Sequence, residues 1–172
     1  MATPTSVAGS AGADAEWLEK LRQSGIRIDR EGRFIHEGAP VTHEGLLRAL
    51  FRWLDRERDG EEDGRYVFRL DAKRFAYVEV DDTPLVARAA RVDSDGTIWL
   101  ALSDGAEERL APETLTVDGD GVLRAWARQG RLEARLAGSA VAALADRFTD
   151  SPDGQPALRV AGGLRPIPRR AG

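Results

Sequence analysis

Apolar residues follow a helical spacing in part of the chain and a strand-like spacing in the rest. The clearest helix is predicted to begin at Thr42. After it, apolar residues recur at intervals of three and four: Leu46, Leu47, Leu50, Phe51 and Leu54. This spacing places them on one face of a helix, so we expect Leu50 and Phe51 to be nearly fully buried.

Two further helices are predicted. A short one begins at Asp14, carries Trp17, Leu18 and Leu21 on one face, and ends at Gly25. A last one covers residues 139–148. Between the first helix and the one at Thr42, residues 26–29 and 33–35 alternate like strands.

From Arg65 the apolar residues alternate with polar ones, which is typical of half-buried strands. The strands predicted there cover residues 66–70, 75–80, 86–92, 97–102, 107–110 and 115–117. Turn sequences rich in Asp, Gly and Pro separate them and leave no room for helices. The pattern therefore favours antiparallel pairing over parallel strands joined by helices.

Residues 122–136 fit two structures. As a helix, they would carry a basic stripe made of Arg124, Arg128, Arg131 and Arg135. As a hairpin, they would turn at Gln129 and Gly130. A glycine costs about 1 kcal/mol inside a helix and nothing in a turn, so the hairpin is favoured.

These elements predict an α+β fold: a curved, mostly antiparallel sheet with flanking helices. A five-residue pattern, apolar-Asp-x-acid-Gly, occurs at 28–32 and 117–121, each followed by strands and a helix, and again at 92–96 without a helix. It indicates either two tandem sheet-plus-helix motifs or only a favoured hairpin turn. The expected division is a disordered leader (1–13), an N-terminal motif (14–90), a C-terminal motif (91–149) and a flexible tail (150–172).

Length and composition narrow the function. A chain of 172 residues forms one domain or two very small ones. It has no cysteine, which excludes disulfides, a thiolate nucleophile and cysteine-based metal sites. A net charge of −4 disfavours nucleic acid as a partner. If nucleic acid did bind, we would expect it on a face that carries Arg124 to Arg135. No apolar run could span a membrane and no secretory signal begins the chain, so we expect a cytoplasmic protein without a membrane partner.

Few residues are candidates for chemistry. The Asp-Gly-Asp-Gly run at 118–121 resembles the start of a calcium loop, but Val122 and Gln129 stand where that loop needs ligands. His36 and His43 have no neighbouring nucleophile or orienting carboxylate in the sequence. We therefore expect no catalytic residue, no metal site and no cofactor.

The best candidates for ligand binding are Asp81, Asp82, Pro84 and Trp99. The two carboxylates follow a predicted strand, where adjacent side chains point to opposite faces, so a shared metal would require a bulge. The alternative is a structural turn in which an Asp side chain bonds the backbone before Pro84. Trp99 would either line a ligand groove or be buried in the core.

Five segments, in this order and spacing, carry a family resemblance: GRFIHEGAPVT (32–42), LLRALF (46–51), GRY (64–66), VEVDDTPL (78–85) and GRLEAR (130–135). Together they resemble the bacterial domain-of-unknown-function family 1285. The family's Asp-Ala-Pro-Phe is here Asp82-Thr-Pro-Leu85, and Arg74 stands in place of a family glutamate. The resemblance implies an α+β fold of tandem repeated motifs, no established activity or cofactor, and a role in signal transduction.

The function expected is a non-catalytic module that senses a small ligand or docks a protein partner. The alternative is a hydrolytic or metal-assisted enzyme that uses His36, Asp81 and Asp82. We also expect a homodimer, because residues 75–80 and 97–102 carry almost no charge and would pair with a second copy if they were sheet edges.

Overall fold

The computed structural model describes residues 23–57 and 64–170. The predicted leader, most of the helix predicted from Asp14 and residues 58–63 lie outside the described residues. Gly25, where that helix was expected to end, lies within the first strand.

The first sheet has six strands, and one helix lies between them in the order of the chain. The strands are β1 (Gln23–Ile28), β2 (Phe34–His36), β3 (Ala39–Pro40), β4 (Leu54–Arg56), β5 (Tyr66–Arg69) and β6 (Phe75–Val80). Helix α1 (Glu44–Trp53) lies between β3 and β4 in the chain. The spatial order is β3-β2-β1-β6-β5-β4, and every pair is antiparallel except the central pair, β1 and β6.

The second sheet repeats this order. Its strands are β7 (Leu85–Val92), β8 (Ile98–Leu102), β9 (Glu107–Arg109), β10 (Thr116–Val117), β11 (Leu123–Ala127) and β12 (Leu132–Leu136). They are ordered β9-β8-β7-β12-β11-β10, with β7 and β12 as the parallel central pair. A short 3-10 helix (Pro112–Thr114) takes the place of α1 between the third and fourth strands. Two similar sheet motifs are therefore present in tandem.

The expectation of antiparallel sheets is only partly right. In each motif the first and last strands in sequence meet as a parallel pair at the centre of the sheet. Such a pair joins segments about fifty residues apart, and local turn signals carry no information about it.

The five-residue pattern is both a favoured turn and a trace of the repeat. In all three copies the Asp amide donates to the carbonyl four residues later, and the Gly amide donates to the Asp carbonyl. The copies at 28–32 and 92–96 both join the first and second strands of their sheets. The copy at 117–121 joins β10 to β11, so the structural repeat pairs 28–32 with 92–96.

Residues 122–136 form the predicted hairpin. Strand β11 pairs with β12 in antiparallel register, with Ala127 opposite Leu132. Gln129 (φ 58°) and Gly130 (φ 77°) adopt left-handed backbone conformations in the turn between them.

The end of the chain is more ordered than expected. Helix α2 (Gly138–Ala143) and a 3-10 helix (Ala145–Arg147) lead into a three-stranded antiparallel sheet of β13 (Phe148–Asp150), β14 (Pro156–Val160) and β15 (Gly163–Pro166). Residues 150–172 were expected to be a flexible tail, but Leu158 and Ile167 are buried in the core. The arginine, proline and glycine content of this segment concealed its apolar positions.

One hydrophobic core joins the three sheets. Leu50 of α1 is 4% exposed, as predicted, whereas Leu46 is 42% exposed. Phe51 is only partly buried, with its ring centroid 4.6 Å from that of Phe34. The cap of this helix lies one residue later than predicted: Nδ1 of His43 accepts a hydrogen bond from the Leu46 amide, and α1 begins at Glu44.

The reason given for a homodimer does not hold. Strand β6 lies between β1 and β5, and β8 lies between β7 and β9, so neither has a free edge. A homodimer remains a prediction without this support. Within residues 23–57 and 64–170, no helix combines the length and apolar character needed to cross a membrane.

Candidate functional site: a charged cleft between the two sheets

Residues 81–84 form the linker that joins the two sheets, and its second half is buried in the protein. The Asp81 amide donates to the carbonyl of Ile28, which extends β6 by one residue (2.9 Å). Thr83 is buried, and its hydroxyl donates to the carbonyl of Leu85 (2.7 Å) and accepts from the Arg135 amide (3.2 Å). Pro84 is fully buried. The hydroxyl of Thr83 thus makes the backbone contact that was expected from an Asp side chain.

The two adjacent carboxylates contact different arginines. Asp81 pairs with Arg27 on β1. Asp82 lies 2.6 Å from Nη2 of Arg124 and 3.2 Å from Nε of Arg135, both on the second sheet. The alternation of strand side chains predicted this divergence.

Arg124 is the most heavily paired of these arginines. Besides Asp82, it contacts Asp118, whose Oδ2 accepts from Nε at 3.0 Å. Burial alone would lower the pKa of Arg124, but hydrogen bonds from its guanidinium to these carboxylates raise that pKa above its ordinary value. Asp118 in turn is held by the amides of Val122 and Asp120, which lower the pKa of its carboxyl.

Arg135 is less completely satisfied. Its Nη2 donates to the carbonyl of Arg30, in the turn between β1 and β2, at 2.6 Å. Its buried Nε is close enough to Asp82 for charge attraction, but no acceptor among the described residues lies in line for a hydrogen bond. A buried donor left in this state costs free energy.

Glu133 extends the charged cluster along β12. Its side chain is 9% exposed, and its Oε1 accepts from Nη1 of Arg170 at 2.6 Å. Tyr66 of the first sheet lies near it, and burial together with the Glu133 charge raises the pKa of the Tyr66 hydroxyl. The cluster therefore joins both sheets and the end of the chain.

These residues border a cavity of about 290 Å³, which we call the junction cleft. It is lined by Arg30, Glu31, Asp81, Asp82, Asp118, Asp120, Val122, Arg124 and Arg135. Five carboxylates and three arginines give the lining a net charge of −2. Of the four residues predicted to bind a ligand, the structure brings Asp81 and Asp82 into this cleft and buries Pro84 behind it.

Trp99 is not part of the cleft. Its Nε1 donates to Asp93 at 2.8 Å, and it lies opposite Arg91 on β7. Arg135 lies opposite Val86, five residues earlier on β7. At about 3.4 Å per residue, this separates Trp99 from the cleft by about 17 Å along the strand.

The histidines also lie apart from the cleft residues in the sheet. His36 is opposite Ile26 on the β2 side of β1, whereas Asp81 follows β6 on the other side of β1. His43 is engaged as the cap of α1. Among the described residues, no group of three His, Asp or Glu side chains could hold a metal ion.

The predicted basic stripe is paired with carboxylates. Arg128 contacts Asp104 and Glu108, and Arg131 lies 3.3 Å from Asp55. Arg124 and Arg135 are held by Asp82. These guanidinium groups are already neutralised within the fold, which disfavours their use for phosphate binding.

The sequence analysis missed Glu133 and Arg170, and it did not connect Arg124 and Arg135 with Asp82. One signal was available: the hairpin interpretation places Arg124 directly opposite Arg135. Like charges in that position are destabilising unless a carboxylate lies between them. The pairing therefore pointed to an acidic group such as Asp82 above this face.

Comparison with solved structures identifies the fold. A DUF1285 family protein from Silicibacter pomeroyi DSS-3 superposes with a TM-score of 0.68 at 22% identity, over 83% of this chain and 78% of that chain. A DUF1285 family protein from Shewanella baltica OS155 gives a TM-score of 0.58 at 14% identity, over 72% of this chain and 92% of that chain. No family model and no curated protein matches the sequence. The chain has the fold of these DUF1285 family proteins, as the resemblance in its sequence implies.

Proposed function

We propose that this chain, as a member of the family it resembles, is a non-catalytic binding module. Its site is the junction cleft, and its ligand is a small molecule that carries an amine or guanidinium group. The observation that carries the proposal is the net charge of −2 on a cavity of about 290 Å³ between the two sheets.

The charge of the cleft favours a cationic ligand. Two of the three arginines of the lining are occupied: Arg124 by two carboxylates, and Arg135 by Asp82 and the Arg30 carbonyl. The Arg30 guanidinium is exposed and forms no ion pair with a described residue. The unmatched charge lies at the rim. Asp120 is exposed, and Glu31 makes only a 3.4 Å contact with Arg33. An incoming anion would meet net repulsion, whereas a cation would find carboxylate oxygens.

The state of the carboxylates supports binding over catalysis. A general acid at neutral pH needs a raised pKa, whereas the pKa of Asp118 is lowered by amide hydrogen bonds. The carboxylates of Asp81 and Asp82 are engaged by arginines. A ligand bound between the two sheets would bias their relative position, which is the kind of event that the proposed role in signal transduction requires.

Calorimetric titration with agmatine, which carries both a guanidinium and an amine, tests the proposal. We expect binding that weakens at least fivefold when both rim charges are removed by Glu31→Gln and Asp120→Asn. The control is Asp153→Asn, which removes an exposed carboxylate in the β13–β14 turn and should leave binding unchanged. Absence of binding up to about 10 mM agmatine, or equal loss in the control, would contradict the proposal.

A further inference from the structure

The chain's own C-terminal segment occupies an edge of the second sheet beside the junction cleft. Residue Arg169 forms a parallel bridge with Val117 of β10. The Val117 amide donates to the carbonyl of Pro168 (3.0 Å), and the Arg170 amide donates to the carbonyl of Val117 (2.8 Å). Residues 168–170 therefore lie on β10 as an added strand.

This added strand delivers a guanidinium to an acidic site. The Arg170 side chain is 48% exposed, whereas the Glu133 carboxylate that it contacts is 9% exposed. Beside them lies a second cavity of about 410 Å³, which shares Asp81, Asp82, Asp118 and Arg124 with the junction cleft. Arg170 and Glu133 line this second cavity, where the guanidinium already lies against a carboxylate.

We propose that the β10 edge and the second cavity bind an extended, arginine-containing peptide segment of a partner protein. This segment would take the place of residues 168–170. Backbone hydrogen bonds to Val117 would fix the strand, and Glu133 would select its arginine, as in other cases of strand addition. This inference rests on the proposed function of the junction cleft and names a partner for the second cavity, which shares four residues with it.

The contacts of the segment make exchange feasible. Ile167 is buried, and its amide donates to the carbonyl of Pro156 at 2.7 Å, so the chain is anchored just before the segment. Beyond this anchor, residues 168–170 are held by the two hydrogen bonds to Val117 and by the Arg170 ion pair. Residues 168–170 are themselves exposed, so their detachment would withdraw little of their own apolar surface from the core.

Fluorescence anisotropy with a labelled peptide of residues 165–172 tests the inference on the full chain. The native segment competes with the peptide, so weakening it should raise the apparent affinity. We expect Arg170→Gln to bind the peptide at least fivefold more tightly than Arg169→Gln. The latter is the matched control, because it removes the same charge from an exposed neighbour.

The selection of arginine by Glu133 is tested by changing first the peptide and then the protein. A peptide with glutamine at the position of Arg170 should bind the Arg170→Gln chain at least tenfold more weakly than the peptide of native sequence. Both peptides are measured on the same protein, so the difference reports on the peptide's arginine alone. Glu133→Gln, added to the Arg170→Gln chain so that the native segment is weakened equally in both proteins, should cause a similar loss, with folding checked by circular dichroism. The inference would be overturned if the Arg170→Gln and Arg169→Gln chains bound the peptide equally well. It would also be overturned if replacing the peptide's arginine left its affinity unchanged. Agmatine binding without peptide binding overturns this inference alone, whereas loss of both also overturns the proposed function.

Discussion

Nη2 of Arg124 lies 2.6 Å from Oδ1 of Asp82 and so ties the linker that leaves the first sheet to strand β11 of the second. Both side chains are largely buried, and Asp118 contacts the same guanidinium. The pair therefore serves the fold as well as the cleft, since it fixes the carboxylates around which the cavity is built.

Removing the Arg124 guanidinium should destabilise the protein strongly. Arg124→Ala leaves Asp82 and Asp118 without their shared partner, and we expect the free energy of unfolding to fall by about 2–4 kcal/mol, toward the range for a broken buried ion pair. Urea denaturation measures this loss. Arg169→Ala, at an exposed position, should change stability by less than about 0.5 kcal/mol. A loss below about 1 kcal/mol for Arg124→Ala would show that solvent replaces the pair.

Helix α1 should be sensitive at Leu50 and tolerant at Leu46. Leu50 is buried in the core, so Leu50→Ala should lower the free energy of unfolding by about 2–5 kcal/mol. Leu46 lies one turn earlier and is exposed, so Leu46→Ala should cost less than about 1 kcal/mol. Chemical denaturation of both variants provides the comparison, and equal losses would mean that α1 is oriented differently.

In the turn between β11 and β12, substitutions should change the stability of the protein through backbone conformation alone. Gln129 is exposed and left-handed, so Gln129→Gly should stabilise the protein by about 0.5–1 kcal/mol. A Cβ at Gly130 would meet no atom within 4 Å, yet its positive φ should make Gly130→Ala destabilising by about 1 kcal/mol. Thermal unfolding should therefore shift in opposite directions for the two variants, and a shift in the same direction would contradict the turn geometry.

Acid should weaken the fold partly through Asp29. Burial raises the pKa of this carboxyl, but the Arg33 amide and guanidinium and the Glu31 amide outweigh burial and lower the pKa below 3.8. A lowered pKa means that Asp29 contributes stability above about pH 4, and that this contribution is lost as the pH falls through the folded-state pKa. Asp29→Asn should therefore be less stable than the wild type at pH 5, with a smaller difference at pH 2. A difference independent of pH, measured by urea denaturation, would rule out this linkage.

The sequence predicts local structure better than long-range contacts. Alternation and turn residues located most strands and the hairpin at 122–136, because these signals lie within a few residues of one another. The parallel central pairs and the contact of Arg124 with Asp82 join distant segments, which no local pattern encodes. Phe51 was expected to be buried from its helical phase, but burial also depends on which elements cover the helix.

The same distinction applies to the cleft. Asp81 and Asp82 could be found as adjacent carboxylates after a strand, whereas Trp99 was grouped with them although it lies toward the other end of β7. The role of Arg170 depends on the fold of the end of the chain, where prolines and glycines concealed strands β14 and β15.

Binding of a cationic ligand between the two sheets can be followed residue by residue. An NMR titration with agmatine, observed through backbone amides and arginine Nε–H groups, tests it most directly. We expect chemical-shift changes at Glu31, Asp120, Arg124 and Arg135, with Trp99 and its neighbours unaffected. Saturating agmatine that leaves these four residues unshifted, or that shifts the surroundings of Trp99 instead, would contradict it.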